Sequence, residues 1–167
     1  VVDAGGRNAV SLKKFSLKQE PKGNGKIAFS AHWQGVRLPD DYCYMHVSRP
    51  GYTGISSVGN GRANVVLVVD RSVLDCERVE KVEGVEKPET FYHHVLMKNC
   101  RRREMLQDAE RVEPVRSVES LAFAVKPVSC SGLVLVGDAM GFIDPFTGEG
   151  IYLSLRSSQI AAEVIHG

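Results

Sequence analysis

The residues between 133 and 165 that can do chemistry are few and closely spaced. The run reads LVLVGDAMGFIDPFTGEGIYLSLRSSQIAAEVI, with Asp138, Asp144 and Glu149 set among Gly137, Pro145, Gly148 and Gly150. An ionised carboxylate only accepts hydrogen bonds, so the natural partners of Asp138 are hydroxyls or N–H groups. It repels a phosphate, which argues for a sugar or polyol. Gly137 permits close backbone approach, and Pro145 stiffens the way into the loop. Gly148 and Gly150 bare the backbone where a helix opens, and there free N–H groups and the helix dipole favour negative charge. Asp144 and Glu149 flank this loop; either can be read as a proton donor, but a capping role suits a carboxylate there better. The stretch therefore offers a polyol acceptor beside an anion-friendly helix end.

Such a turn needs elements to carry it. Residues 133–136, LVLV, form a short, fully apolar strand of the buried parallel type. Residues 148–165 form a helix whose Gly150, Ser154, Ser158, Ala161 and Ala162 make a stripe of small side chains that can lie close to a sheet or a ligand. The carboxyl end of a strand in an open α/β sheet is a ligand position. VVDA at 1–4 is a second strand end, running into the turn GGRN. Both are expected in one sheet. Between them the pattern changes. Residues 18–25 are a loop by composition, and strands are expected at 26–33, 41–49, 52–58 and 62–70. The short PG and GNG links make the last three an antiparallel meander. Pro88 suits the first turn of a helix reaching about residue 108, with Phe91, Val95, Leu96 and Cys100 on one face. Residues 115–125 read as a further strand. The two ends are thus α/β and the middle is an inserted antiparallel sheet with a helix. A chain that opens inside a strand and closes in a helix is expected to be an internal fragment of a longer protein.

Composition narrows the classes. The chain has 167 residues, 43% hydrophobic and 25% charged, with a net charge of +1. That describes a globular protein without the charge excess of a nucleic-acid binder. Arg101 to Arg103 read as a solvated helix face. Cys43, Cys76, Cys100 and Cys130 lie far apart without metal-ligand spacing, so reduced thiols in a cytoplasmic protein are expected, one disulfide remaining open. No stretch approaches a membrane span and no signal peptide is visible. His93 and His94 are adjacent on a helix and point to different faces, so no metal site is expected.

The quoted motifs carry a resemblance. GDAMGFIDPFTGEGIYLSLRSSQIAAE resembles the second FAD-binding motif of flavoproteins with the aromatic-hydroxylase fold, most closely their geranylgeranyl reductase-like branch. VVDAGGRNAV is similar to the earlier D-A-x-G-R motif of the same superfamily. The resemblance implies an FAD-binding Rossmann-like domain, at 1–15 and 128–167, with an antiparallel-sheet substrate domain inserted at 16–127. It implies that Asp138, after Gly137, binds the flavin ribityl chain, and that the loop Pro145 to Gly150, with Gly148 and Glu149, lies along the isoalloxazine ring. Backbone N–H groups near Gly150 and Ile151 would then face the pyrimidine edge. The implied activity is that of an FAD-dependent oxidoreductase, a reductase or monooxygenase, acting on a small apolar organic substrate with NAD(P)H as electron donor. Trp33, Tyr42, Tyr44, Met45 and Tyr52 lie where this superfamily seats its substrate, and either a pocket floor or plain sheet packing accounts for them. No catalytic residue is assigned, no transmembrane segment is expected, and a peripheral membrane contact stays open. The alternatives are a non-catalytic remnant and a flavin-dependent halogenase-like enzyme. Four departures stand out. Ala4-Gly5-Gly6 replaces the usual Ala-Asp-Gly, with Asp3 earlier; Gly141 stands where aromatic hydroxylases carry His; the halogenase tryptophan motif is missing, Trp33 being the only tryptophan; and no G-x-G-x-x-G occurs for the adenosine diphosphate.

Overall fold

A computed structural model describes residues 1–19, 25–39, 41–74, 88–119, 121–128 and 131–167. In chain order the elements are β1 Val2–Asp3, α1 Val10–Lys14, β2 Lys18–Gln19, β3 Lys26–Gln34, β4 Cys43–Ser48, β5 Gly51–Gly59 and β6 Arg62–Asp70. There follow α2 Pro88–Lys98, α3 Cys100–Leu106, β7 Glu110–Arg111, β8 Arg116–Val118, β9 Ala124–Val125, β10 Val134–Leu135 and α4 Gly150–His166. They form two compact units, Val1–Gly23 with Ser120–Gly167, and Asn24–Glu119. Cys76 and Cys130 lie outside the described residues, and Cys43 and Cys100 are free thiols. No described helix is long and apolar enough to cross a membrane.

The second unit is one antiparallel sheet in the order β4-β5-β6-β3-β7, with β8 on the same edge of β3 as β7. The meander expected from the short turns is present as β4-β5-β6. Period-2 alternation in β3 sends Ile27, Phe29, Ala31 and Trp33 to one face, all buried. Val65, Leu67 and Val69 join them from β6, and Phe91, Tyr92, Val95, Leu96 and Leu106 close the core from α2 and α3. Trp33 Nε1 donates to the Tyr92 hydroxyl at 3.1 Å, and that hydroxyl donates to the Val65 carbonyl at 2.8 Å. Burial pushes the Tyr92 phenol well above its ordinary range, so it stays protonated and keeps donating.

The alternation also divides the five residues considered as a pocket floor. Trp33 and Tyr44 lie on the helix-covered face, where both pack into the core. Met45 and Tyr52 point to the opposite face, and Tyr42 precedes β4 and is exposed. They do not form one floor.

Three expectations need correction. The helix from Pro88 stops at Lys98 because Asn99 takes an extended conformation and caps α3, its side chain accepting from the N–H groups of Arg101 and Arg102. The phase change turns Cys100 to the surface instead of the core face. The single strand at 115–125 is divided: β8 pairs with β3 in the second unit, while β9 pairs with β2 in the first. The arginine run is solvated at Arg101 and Arg103, but Arg102 is 1% exposed.

Arg102 has a physical reason to be inside. Its guanidinium donates to the carbonyls of Val95 and Leu96, the uncapped end of α2, and to the hydroxyls of Ser48 on β4 and Thr53 on β5. The negative end of the α2 dipole compensates the cation, and its fork ties the helices to the β4–β5 hairpin. His46, on the same face of β4, has a buried Nε2 without a hydrogen-bond partner among the described residues. Desolvation, then the charges of Arg102 and Arg101 on α3, holds the His46 imidazole below its ordinary value of 6.5. The folded state therefore prefers neutral His46. Its contribution is fully present above about pH 6.5 and is lost as pH falls below it through the folded value. The urea midpoint is expected to decline over that window, and His46→Gln should remove most of the decline; an unchanged slope in the variant would refute this source.

Candidate cofactor site

In the first unit β1 and β10 pair in parallel, Val2 opposite Val134 and Asp3 opposite Leu135. The two Gly-rich turns are thereby brought side by side, as their strand-end composition predicts. β10 ends in a 3-10 turn, Gly137–Met140, whose first residue has φ +59°. A Cβ on Gly137 would sit 2.8 Å from Ser154 Oγ, and the Gly137 N–H donates to Ser157 Oγ at 2.9 Å. The close approach expected at Gly137 is made by α4. The contacting face of the helix runs through Ser154, Ser157 and Ala161, whereas Ser158 and Ala162, expected in the stripe, are exposed. Ser157 was missed because three- and four-residue steps from Gly150 lead to Ser154 and then equally well to Ser157 or Ser158.

The loop beyond is braced from within. Asp144 accepts from the Phe146 N–H at 2.9 Å and so caps the short 3-10 turn Pro145–Thr147, as the capping reading expects. Glu149 accepts from Thr147 Oγ1 at 2.9 Å and caps no backbone N–H of α4. No side chain caps that helix, so its first N–H groups remain available. A Cβ built on Gly148 or Gly150 would meet nothing within 4 Å, and Ile151 is 79% exposed. One side of the loop is open at the helix N-terminus. Asp138 is partly buried on the turn, with no hydrogen bond to its carboxylate among the described residues.

Two departures from the motif pattern find local explanations. Asp3 accepts from Ser11 Oγ at 2.5 Å, Ser11 N at 2.9 Å and Gly5 N at 3.0 Å. Those donors, the Ser11 hydroxyl foremost, hold its carboxyl below the usual range. Asp3 is a brace joining the β1 turn to the start of α1, a role invisible in sequence because its partners lie up to eight residues away. Gly141 has φ +127°, and a Cβ there would approach the Phe123 carbonyl to 3.2 Å beside the Phe123–Phe142 bridge. A histidine does not fit this backbone.

The arrangement fits FAD at the level of donor chemistry: a bare carboxylate for ribityl hydroxyls, an open glycine loop for a flat ring, and an uncapped helix end for its electron-rich edge. Known proteins similar to the chain include flavin-dependent enzymes and lipid reductases. No family model matches the chain. The digeranylgeranylglycerophospholipid reductase of Methanocaldococcus jannaschii is 34% identical over 123 residues, 74% of this chain and 28% of the reductase. The flavin-dependent halogenase ascD of Acremonium egyptiacum is 27% identical over 176 residues, 99% of this chain and 31% of the halogenase. The crystal structure of CmlS, a flavin-dependent halogenase, superposes with a TM-score of 0.76 at 26% identity, covering 92% of this chain and 28% of that one. The chain is similar to a part of FAD-dependent oxidoreductases. It spans about a third of the length of the curated relatives it matches, 37%, 31% and 31% for three of them. Within that flavoprotein frame, the first unit is the part that carries the D-A-x-G-R and G-D motifs, and the second is its antiparallel sheet.

Proposed function

We propose that the turn from Gly137 to Ile151 holds the ribityl chain and ring of FAD in an enzyme that acts on an apolar organic molecule. One observation carries this reading most: the turn bearing Asp138, whose carboxylate has no hydrogen bond among the described residues, and α4, whose N-terminus no side chain caps, both follow the end of a parallel strand pair. Bound FAD supplies the redox chemistry, and the protein groups orient it. Asp138 would accept from a ribityl hydroxyl. The N–H groups of Gly150 and Ile151 would hold an electron-rich part of the ring, and the helix dipole would favour negative charge there. Pro145 and Glu149 keep the loop in shape, Glu149 through Thr147. Gly148 leaves room beside the ring.

Reduction with electrons from NAD(P)H is the main reading of the overall reaction, in line with the similarity to lipid reductases. Halide transfer is the second, favoured by similarity to a pyrrole-carbonyl chlorinase and to ascD over 97% and 99% of the chain. Mass spectrometry of products formed by the complete protein, with bromide or chloride present, separates the two: a halogenated product supports the second, a product two hydrogens heavier the first.

The cofactor site itself is tested by Asp138→Ala in the complete protein. FAD binding is expected to weaken by about 1–3 kcal/mol, the scale of a lost charge-assisted hydrogen bond. Flavin fluorescence titration measures it, and an unchanged dissociation constant would remove Asp138 from the site.

A further inference from the structure

The antiparallel sheet of the second unit ends at β4, which pairs with β5 on one side and with no described strand on the other. Its outer N–H and C=O groups therefore form an open edge. Such edges are usually blunted by lysine, proline, a bulge or an inward charge. Cys43–Ser48, CYMHVS, carries no lysine, arginine, carboxylate or proline, and its six residues pair with β5 without a shift in register. Met45 and Val47 are 44% and 70% exposed on one face, and Cys43 is exposed beside them. The strand is a regular template without permanent charge, open to pairing by another strand.

The residues that flank the strand say what fits it. Asp41 precedes β4 and Arg49 follows it, both exposed, and each lies four residues from Met45. An antiparallel copy of the same strand, related by a two-fold axis through Met45, therefore sets Asp41 opposite the partner's Arg49 and Arg49 opposite the partner's Asp41. Between these ends Cys43 meets the partner's Val47 and Tyr44 meets the partner's His46. Apolar side chains thus pair on one face and rings on the other. Tyr44 and His46 already lie nearly parallel within one chain, their centroids 6.3 Å apart, so the pairing extends an existing stack. Moving the axis to Tyr44 or to His46 keeps the faces in phase but sets both charges against uncharged residues. The charges select one register.

We propose that β4 is a dimer edge, pairing antiparallel with β4 of a second copy of this chain about a two-fold axis through Met45. The two sheets run on as one through the interface, and the outer backbone groups of both edges gain partners. Asp41 and Arg49 form one ion pair at each end. An edge of six residues buries a small area, so the dimer is reversible and depends on concentration. The inference goes beyond the flavin reading and uses none of its residues.

Sedimentation equilibrium of the complete protein over a range of concentrations is the test, and a reversible monomer–dimer equilibrium is expected. Arg49→Asp should weaken association about ten-fold or more, because two cross-strand pairs change from attraction to repulsion. Asp41→Arg should weaken it to a similar degree. Combining Asp41→Arg with Arg49→Asp should restore association to within about two-fold of the unaltered protein, a rescue that loss of an unrelated structural contact would not show. Melting temperatures show whether each variant keeps its fold; should a single variant melt early, the exchanged pair decides. A monomer at every concentration, a dimer indifferent to Arg49→Asp, or no recovery on exchange would overturn the proposal. Slow hydrogen exchange along β4 in a monomer would overturn it too, by showing another segment of the chain on this edge. FAD fluorescence in the same samples reads the flavin site separately: flavin held by a monomer sinks this inference alone, and a dimer without flavin sinks the flavin reading alone.

Discussion

Replacing Arg102 with alanine is expected to destabilise the second unit by about 3–5 kcal/mol, the range for breaking a buried, fully engaged charged group. Four acceptors lose their donor together: the Val95 and Leu96 carbonyls and the Ser48 and Thr53 hydroxyls. The hydroxyls can turn to other partners, but the carbonyls at the end of α2 stay buried and bare. The side chain is also bulky and 1% exposed, so alanine leaves a cavity beneath the β4–β5 hairpin. Arg102→Met keeps most of the volume and removes the desolvated charge, and should cost clearly less than alanine. It should also lessen the acid decline assigned to His46, because one of the two repelling charges is gone while desolvation remains. Urea unfolding at two pH values measures both effects. An alanine variant within 1 kcal/mol of the unaltered protein would mean that the guanidinium is not a structural clamp.

Gly51→Ala is expected to cost roughly 3 kcal/mol, at the upper end for overpacking a well-filled site. A Cβ at Gly51 would lie 1.9 Å from the Val68 carbonyl oxygen, 2.9 Å from its carbon and 3.0 Å from Val69 Cα. All three are backbone atoms of β6, a strand hydrogen-bonded on both sides, so no rotamer change relieves the clash. Gly54→Ala is the control on the same strand, since its nearest neighbour would be the flexible Met45 Cε at 3.8 Å. The expected result is a large fall in melting temperature for Gly51→Ala and little change for Gly54→Ala. Equal melting of the two would show that the β5 start is not held against β6 as described.

Strands β3 to β6 were legible in the sequence because their information is local. Alternation over nine residues in β3 specifies a face, and the PG and GNG links admit only tight turns. The cofactor turn was legible for a similar reason: a short apolar strand, an acid, a stiff glycine loop and a helix follow one another within one stretch of chain. The tertiary structure decided everything that depends on a distant partner. Which face of β3 receives helices makes Trp33 a core residue and leaves His32 outward. Asp3 is consumed as a brace because Ser11 comes within reach of it. Arg102 looks like its solvated neighbours until the end of α2 and two hydroxyls of the hairpin surround it. Glu113 hydrogen-bonds with His32 from 81 residues away, and nothing in either local pattern announces the other. Periodicity encodes burial of a face, which many sequences satisfy. The pairing of one buried or fixed polar group with another is set by chain crossings that only the folded molecule makes.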